Sequence, residues 1–334
     1  VTAGREWVLD EYKGFEALKL RECENEEPGP NDVRLRVEAF ALNWGDADLM
    51  EDFYSFSFTS LPARVGIEAS GIVEAVGSEV EGIEIGGRYG TLPYFYDRRG
   101  ASADTLLIDS NYIARAPEGL SPVEAASIWM QFMTAYFPVV ELGGAAPGVN
   151  ILVPAGTSTA GSAGIEIGKL KGATIISTTR SESNRAYVQD LGADHVFVDD
   201  GGNLEEFLLD VTDGVGVHAS FDPVGGNFME RYANAMAKGG KLMLYGGLEG
   251  SFSPAPILSM LQKNLWFHAY SLFNYVQEPE AQKRGVDFVT NALNTGQLKP
   301  RIDKIFPMEE YVEAWRYLRG KRSSFGKVLV ETGV

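Results

Sequence analysis

Between residues 151 and 272, short apolar runs alternate with stretches whose apolar positions recur every three or four residues, the marks of strands and helices in turn. The first run, Ile151-Leu152-Val153, passes through Pro154-Ala155-Gly156-Thr157-Ser158-Thr159-Ala160-Gly161 into a helical stretch, Ser162 to Lys171. Strand-like segments follow at 173–180, 195–198, 218–221, 241–245 and 265–272, and helix-like ones at 184–191, 204–211 and 228–236. Such a series predicts an α/β, doubly wound domain with a sheet of six parallel strands, because parallel neighbours need crossovers that helices supply.

The flanks follow another period. Val33-Arg34-Leu35-Arg36-Val37-Glu38-Ala39 alternates by two, Gly71 to Val76 is strand-like, and Gly77, Gly82, Gly86, Gly87, Gly90 and Gly100 punctuate short segments. This predicts a β-rich, barrel-like domain. Ser121-Pro122-Val123-Glu124 has a capping Ser, a Pro in the first turn and an acid to close the cap, so a helix and a domain boundary are expected there. After Leu272 come an amphipathic segment, Glu280 to Leu293, an extended stretch, Arg301 to Ile305, a helix, Met308 to Leu318, and a closing strand, Lys327 to Val330. A lone closing strand needs a partner, and the N-terminal sheet offers one. The expected organisation is therefore a β-rich domain over 1–124, an inserted doubly wound domain over 125–270, and a return to the first domain over 271–334, with the active cleft between the two.

Composition narrows the possible partners. With 46 acidic against 29 basic side chains, the formal charge of −17 opposes nucleic acid and anionic membrane surfaces. No apolar run approaches the ~18 residues of a membrane span, and Arg5, Glu6, Asp10, Glu11 and Lys13 interrupt any leader-like stretch, so a soluble, cytoplasmic protein is expected. Cys23, the only cysteine, excludes an intramolecular disulfide and a cysteine-rich zinc site, and its acidic neighbours disfavour a thiolate. His195, His218 and His268 show no metal-binding spacing and read as structural.

The turn after the first strand carries the chemistry. Gly156, Ser158 and Gly161 hold the three spaced positions of the dinucleotide fingerprint, with Ser replacing the middle Gly, and Thr157, Thr159 and Ala160 keep the loop small. Gly156 permits the turn, Ser158 keeps bulk off a pyrophosphate, and Gly161 lets the helix lie close while its N–H groups face the phosphates. At the end of the second strand a carboxylate would bond a ribose diol; here Thr179 is followed by Arg180, with Arg185 a second cation about one turn on. A guanidinium suits a 2′-phosphate, so NADPH is expected over NADH, the alternative being an Arg180 that points into solvent.

The chain resembles the medium-chain dehydrogenase/reductase superfamily, on its zinc-free quinone oxidoreductase and alcohol-dehydrogenase-like side. The likeness rests on Ala41-Leu42-Asn43-Trp44-Gly45-Asp46, Gly66-Ile67-Glu68-Ala69-Ser70-Gly71, Trp129 to Tyr136, the phosphate turn, Asp222-Pro223-Val224-Gly225-Gly226, Lys238-Gly239-Gly240, Tyr245-Gly246-Gly247 and Gly326-Lys327-Val328. Ser158 at a fingerprint glycine, Gly87 where an Asp is usual and Asn184 where relatives often carry a phosphate-binding Lys depart from the pattern. The resemblance implies a GroES-like barrel joined to a Rossmann domain and a homodimer formed through the latter. It places Thr134, Pro223, Val224, Gly246, Gly247, Phe273 and Lys327 near the cofactor, and Trp129 and Gln131 along the cleft. Asn43 and Asp46 match a segment that reaches nicotinamide and substrate, though an Asn and an Asp at that spacing also fit a helix cap. Tyr54, Tyr94 and Tyr96 are candidate proton donors that could equally be packing.

In zinc-bearing relatives a Cys, a Gly-His-Glu and a second Cys bind the catalytic ion; the matching positions here are Asn43, Ile67 and Met130, so no zinc is expected. Without a Lewis acid, hydride transfer favours acceptors that spread their own charge, which points to a quinone or an α,β-unsaturated carbonyl. A metal-free alcohol dehydrogenase or carbonyl reductase is the alternative, and a non-enzymatic binding relative the third reading.

Overall fold

The computed structural model describes residues 3–97, 99–250 and 252–334. The chain divides into two compact units, Val1–Met130 with Val276–Val334, and Gln131–Tyr275.

In the first unit the alternation of the sequence becomes burial. Strand Asp32–Ala41 turns Val33, Leu35, Val37 and Ala39 fully inward while its polar positions stay partly exposed. Each large side chain so buried stabilises the unit by roughly 1.5–3 kcal/mol. This strand pairs antiparallel with Glu68–Val76, Thr105–Asp109 and Lys327–Glu331. The closing strand thus joins the N-terminal sheet, where Leu329 lies opposite Ala41, and it pairs parallel with Ile302–Pro307. A separate sheet places Ala3–Leu9 between Leu18–Glu24 and Ala63–Arg64. The Ser121 cap forms as the sequence suggests: its N–H donates to Glu124 Oε2 at 2.8 Å and its hydroxyl accepts the Glu124 N–H at 3.3 Å. The helix it opens, Pro122–Ala125, belongs to this unit, because Val123 and Ala126 pack with Ala39, Ala41 and Leu329. The first unit therefore runs on to Met130 rather than stopping at 124.

The second unit is a sheet of six parallel strands in the order His195–Val198, Thr174–Thr179, Asn150–Val153, Val217–Asp222, Met236–Leu244 and Trp266–Ala269. It extends past 270 because the Tyr275 ring lies 4.9 Å from Phe137 and 5.3 Å from Tyr270. Two elements of this unit depart furthest from the sequence reading. The helix expected over 228–236 shortens to Glu230–Ala233, and the fifth strand starts at Met236 rather than 241. Lys238-Gly239-Gly240 resembles a turn, yet the chain absorbs Gly239 as an irregularity within the strand, where pairing with Val217–Asp222 shifts register. His218 has the structural role expected of it, its Nδ1 accepting the Asn150 N–H at 3.0 Å.

Candidate active site

The phosphate turn leaves the carboxyl end of Asn150–Val153 at the centre of the parallel sheet, where open α/β sheets bind ligands. Helix Thr159–Leu170 begins three residues earlier than the hydrophobic spacing suggests, because Ser158 caps it: its Oγ accepts the Gly161 N–H at 3.0 Å. The two glycines act through close approach. A Cβ on Gly161 would stand 2.4 Å from the Ala155 carbonyl oxygen, and one on Gly156 would stand 2.3 Å from Ser177 Oγ. The left-handed residue of the turn is Ala155, with φ of 52°, so Gly156 serves close packing and not the turn's sign. Gly164 and Gly168 extend the same contact, with Phe221 and Ile175 against them, and this the sequence reading missed. The spacing of Gly161, Gly164 and Gly168 at three and four residues was the available signal. This cradle fits a dinucleotide: small residues, backbone in contact, and the first N–H groups of a helix of 12 residues lacking intrahelical acceptors.

The neighbouring strand ends define its sides. Thr179 is buried and accepts from Asn184 Nδ2 at 3.2 Å. Arg180 is exposed and has no ion pair among the described residues. Arg185, in contrast, gives its fork to the Glu182 carboxylate at 2.6 and 3.0 Å and its remaining nitrogen to the Val196 carbonyl at 2.8 Å. It is already engaged, which leaves Arg180 as the available cation. Across the sheet, Asp222 accepts the Val224 N–H at 2.7 Å and the Tyr232 hydroxyl at 2.8 Å, shaping the turn of Pro223 and Val224. Burial pushes this carboxyl up to about 6, against the pull of those donors. Gly246 follows the next strand, where a Cβ would come 2.8 Å from the Pro223 carbonyl oxygen, and a Cβ on Gly247 would stand 2.6 Å from the Gly250 carbonyl oxygen. Thr134 lies in helix Trp129–Tyr136, and Phe273, which is buried, opens helix Phe273–Val276.

The first unit holds a second group of candidates. Asn43, Asp46, Glu68 and Lys327 are all buried, from the start of a helix (Trp44–Met50), the start of strand Glu68–Val76 and the start of the closing strand. Lys327 Nζ lies 2.9 Å from Glu68 Oε2 and also donates to Asn43 Oδ1. Asn43 Nδ2 donates to Glu68 Oε2 at 3.2 Å, and the Met130 N–H donates to Glu68 Oε1 at 2.9 Å. Asp46 Oδ2 accepts the Asn43 backbone N–H at 3.1 Å, so the cap geometry and the polar cluster are one construction. Asp46 Oδ1 is buried without a hydrogen-bond partner among the described residues, and burial pushes the carboxyl up to about 7. In the sequence Glu68 stands out only as a member of the Gly66 to Gly71 motif; its role becomes visible once the fold joins four distant segments.

Around this cluster stand the tyrosines. The Tyr54 ring packs where a Cβ on Gly45 would be 2.5 Å from its hydroxyl. Tyr94 is buried with no partner for its hydroxyl among the described residues, whereas the Tyr96 hydroxyl accepts the Gly66 N–H at 2.9 Å. Burial raises all three phenols well above their ordinary value, and the Asp46 carboxylate adds to it. Trp129 is wholly buried beside Gly90, a place in the packing and not on an open wall, while Gln131 is buried at the start of the second unit. Among the described residues no group of three or more His, Cys, Asp or Glu side chains could hold a metal ion, and no helix is long and apolar enough to cross a membrane.

One unit is thus a parallel sheet with a small-residue turn at its centre, and the other a β unit closed by the C-terminal strand. Residues 29–109 match the family described as "Alcohol dehydrogenase GroES-like domain", and residues 160–291 match "Zinc-binding dehydrogenase". The chain belongs to the medium-chain dehydrogenase/reductase superfamily, on its quinone oxidoreductase side, a superfamily of NAD(P)H-dependent oxidoreductases. It is 26% identical to a quinone oxidoreductase of Pseudomonas aeruginosa over 96% of this chain and 97% of that one. It also matches a phenolphthiocerol/phthiocerol polyketide synthase chain of Mycobacterium tuberculosis at 25% identity over 96% of this chain, and spans only 14% of that protein. Among solved structures, Escherichia coli quinone oxidoreductase complexed with NADPH superposes with a TM-score of 0.90 at 23% identity, covering 98% of this chain and 100% of that one. An NAD-dependent alcohol dehydrogenase superposes at 0.89 with 28% identity and the same coverages.

Proposed function

We propose that the chain is an NADPH-dependent, zinc-independent reductase of quinones or α,β-unsaturated carbonyls. The observation that carries this is the buried cluster of Asn43, Glu68 and Lys327. At the positions where zinc-bearing relatives place metal ligands stand an amide, the apolar Ile67 and the Met130 backbone, and the first and last of these are tied by Glu68 to an internal ammonium. Ile67 offers no donor atom in its side chain, so the set does not match a zinc site.

Gly156, Thr157, Ser158, Thr159, Ala160 and Gly161 would hold the pyrophosphate, with Pro223, Val224, Gly246 and Gly247 beside it and Thr134 and Phe273 nearer the nicotinamide. Thr179 and Arg180 would take the 2′-phosphate. Bound there, the reduced nicotinamide supplies the hydride. The chain's own residues then have to accommodate negative charge on the acceptor oxygen. Asn43 uses one Nδ2 hydrogen on Glu68 and keeps a second that can be donated to that oxygen. Tyr54 and Tyr94, held protonated by burial, are hydrogen-bond donors of the same kind. A quinone or enone delocalises the developing charge, and a few neutral donors suffice; a plain ketone would demand more. The metal-free alcohol dehydrogenase reading keeps second place on the likeness to the NAD-dependent alcohol dehydrogenase.

The proposed partner in solution is a second copy. Strand Trp266–Ala269 is an outer strand of the parallel sheet and all its residues are exposed, with Ile257, Leu258 and Leu261 exposed on the adjacent helix Ile257–Lys263. An apolar edge strand is self-complementary about a two-fold axis. A panel of 1,4-naphthoquinone, an enone, a saturated ketone and an alcohol, followed through the nicotinamide absorbance, tests the reading. Reduction of the quinone or enone well above the ketone is expected; turnover of the alcohol or ketone alone would give the place to the alternative.

A further inference from the structure

We infer that Lys327 is a positioning residue: its ammonium is the internal cation that fixes the Asn43 amide, and it does not bind the cofactor. The inference rests on the oxidoreductase reading above and concerns how the buried cluster works. Lys327 and Glu68 are each 1% exposed, and neither charge reaches water. Two buried ions persist only when paired and hydrogen-bonded, and both are. Glu68 Oε2 meets Lys327 Nζ and Asn43 Nδ2, while Oε1 takes the Met130 N–H.

The arrangement leaves Asn43 no freedom to flip. An ammonium only donates and a carboxylate only accepts, so Oδ1 must face Lys327 and Nδ2 must face Glu68. The backbone of the same residue is held separately, its N–H on Asp46 Oδ2. Asn43 is therefore anchored at both ends, with one N–H unspent. With both Lys327 and Glu68 replaced by neutral groups, the amide could turn either way, and its carbonyl would then face negative charge on the acceptor. The closing strand brings Lys327 into the cluster through its pairing with Asp32–Ala41, so the last strand of the chain orients a group at residue 43.

The test compares wild type with Lys327→Met/Glu68→Gln, in which no buried charge is left without a partner, and with Lys327→Arg, which keeps the cation. Each is assayed with NADPH and 1,4-naphthoquinone for kcat and KM, with NADPH for Kd by tryptophan fluorescence, and for thermal midpoint. Misplacing a reacting-site group by about 1 Å costs on the order of 100-fold, so the double variant should lose roughly that factor in kcat, keep its NADPH Kd within about 2-fold, and remain folded. Lys327→Arg should recover part of the loss. A raised NADPH Kd with kcat unchanged would make Lys327 a cofactor contact and overturn the inference. So would a fully active double variant, or one that no longer folds, which would mark the pair as structural. A wild type that reduces no acceptor of the panel would instead defeat the functional reading itself.

Discussion

Replacing Asp46 by Asn should change how the stability of the chain responds to pH, and in a known direction. The carboxyl is fully buried, and burial raises it from the ordinary 3.8 to about 7, against the Asn43 N–H and Lys327, which lower it. Because the folded state holds a proton that the unfolded state has already released, the Asp46 contribution to wild-type stability falls as pH rises from about 4 to about 7, and is level above that. At about 1.36 kcal/mol for each tenfold change in proton affinity, the full span is roughly 4 kcal/mol, an order-of-magnitude figure. The Asn variant keeps the acceptor for the Asn43 N–H and has nothing to titrate. Relative to wild type it should therefore gain stability by about 1.4 kcal/mol per pH unit between about pH 5.5 and 7, and no more beyond about 7.5. Urea unfolding of both proteins at stepped pH measures this directly. A difference independent of pH, or one that moves toward wild type as pH rises, would refute the assignment of a protonated Asp46.

Three further outcomes follow from the site. Arg180→Ala should weaken NADPH binding by roughly 10- to 150-fold, the worth of a charge-assisted contact, and leave NADH nearly unchanged; equal losses in titrations of both cofactors would remove Arg180 from the site. Gly161→Ala sets a Cβ 2.4 Å from the Ala155 carbonyl, so both cofactors should bind more weakly and the fold lose about 1–3 kcal/mol by denaturant unfolding. Trp266→Lys, at the exposed outer strand, should shift the sedimentation mass from dimer to monomer; an unchanged mass would place the interface elsewhere.

What could be read in advance was whatever sits in contiguous sequence. The strand, small-residue turn and helix of 150–170 were legible because each depends on neighbours in the chain, and so was the Ser121 cap. The segment 236–240 was not, since Lys238-Gly239-Gly240 looks like a turn until parallel pairing with Val217–Asp222 makes it a strand. Arg185 looked like a free cation because its partner Glu182 competes only once the helix at Arg185–Asp190 forms. The resemblance brings Asn43, Ile67 and Met130 together as counterparts of metal ligands, but the ion pair of Glu68 and Lys327 that ties Asn43 and Met130 was beyond reach for the same reason on a larger scale. Lysine at the start of a strand is ordinarily solvated, and only the fold carries it next to Glu68.

The claim that the chain carries hydride to a conjugated acceptor without metal is tested most directly by metal analysis of the purified protein joined to NADPH oxidation with 1,4-naphthoquinone before and after exhaustive chelation. No stoichiometric zinc and the same rate in both samples are expected. About one equivalent of zinc per chain, with activity lost on its removal and restored on its return, would contradict the claim.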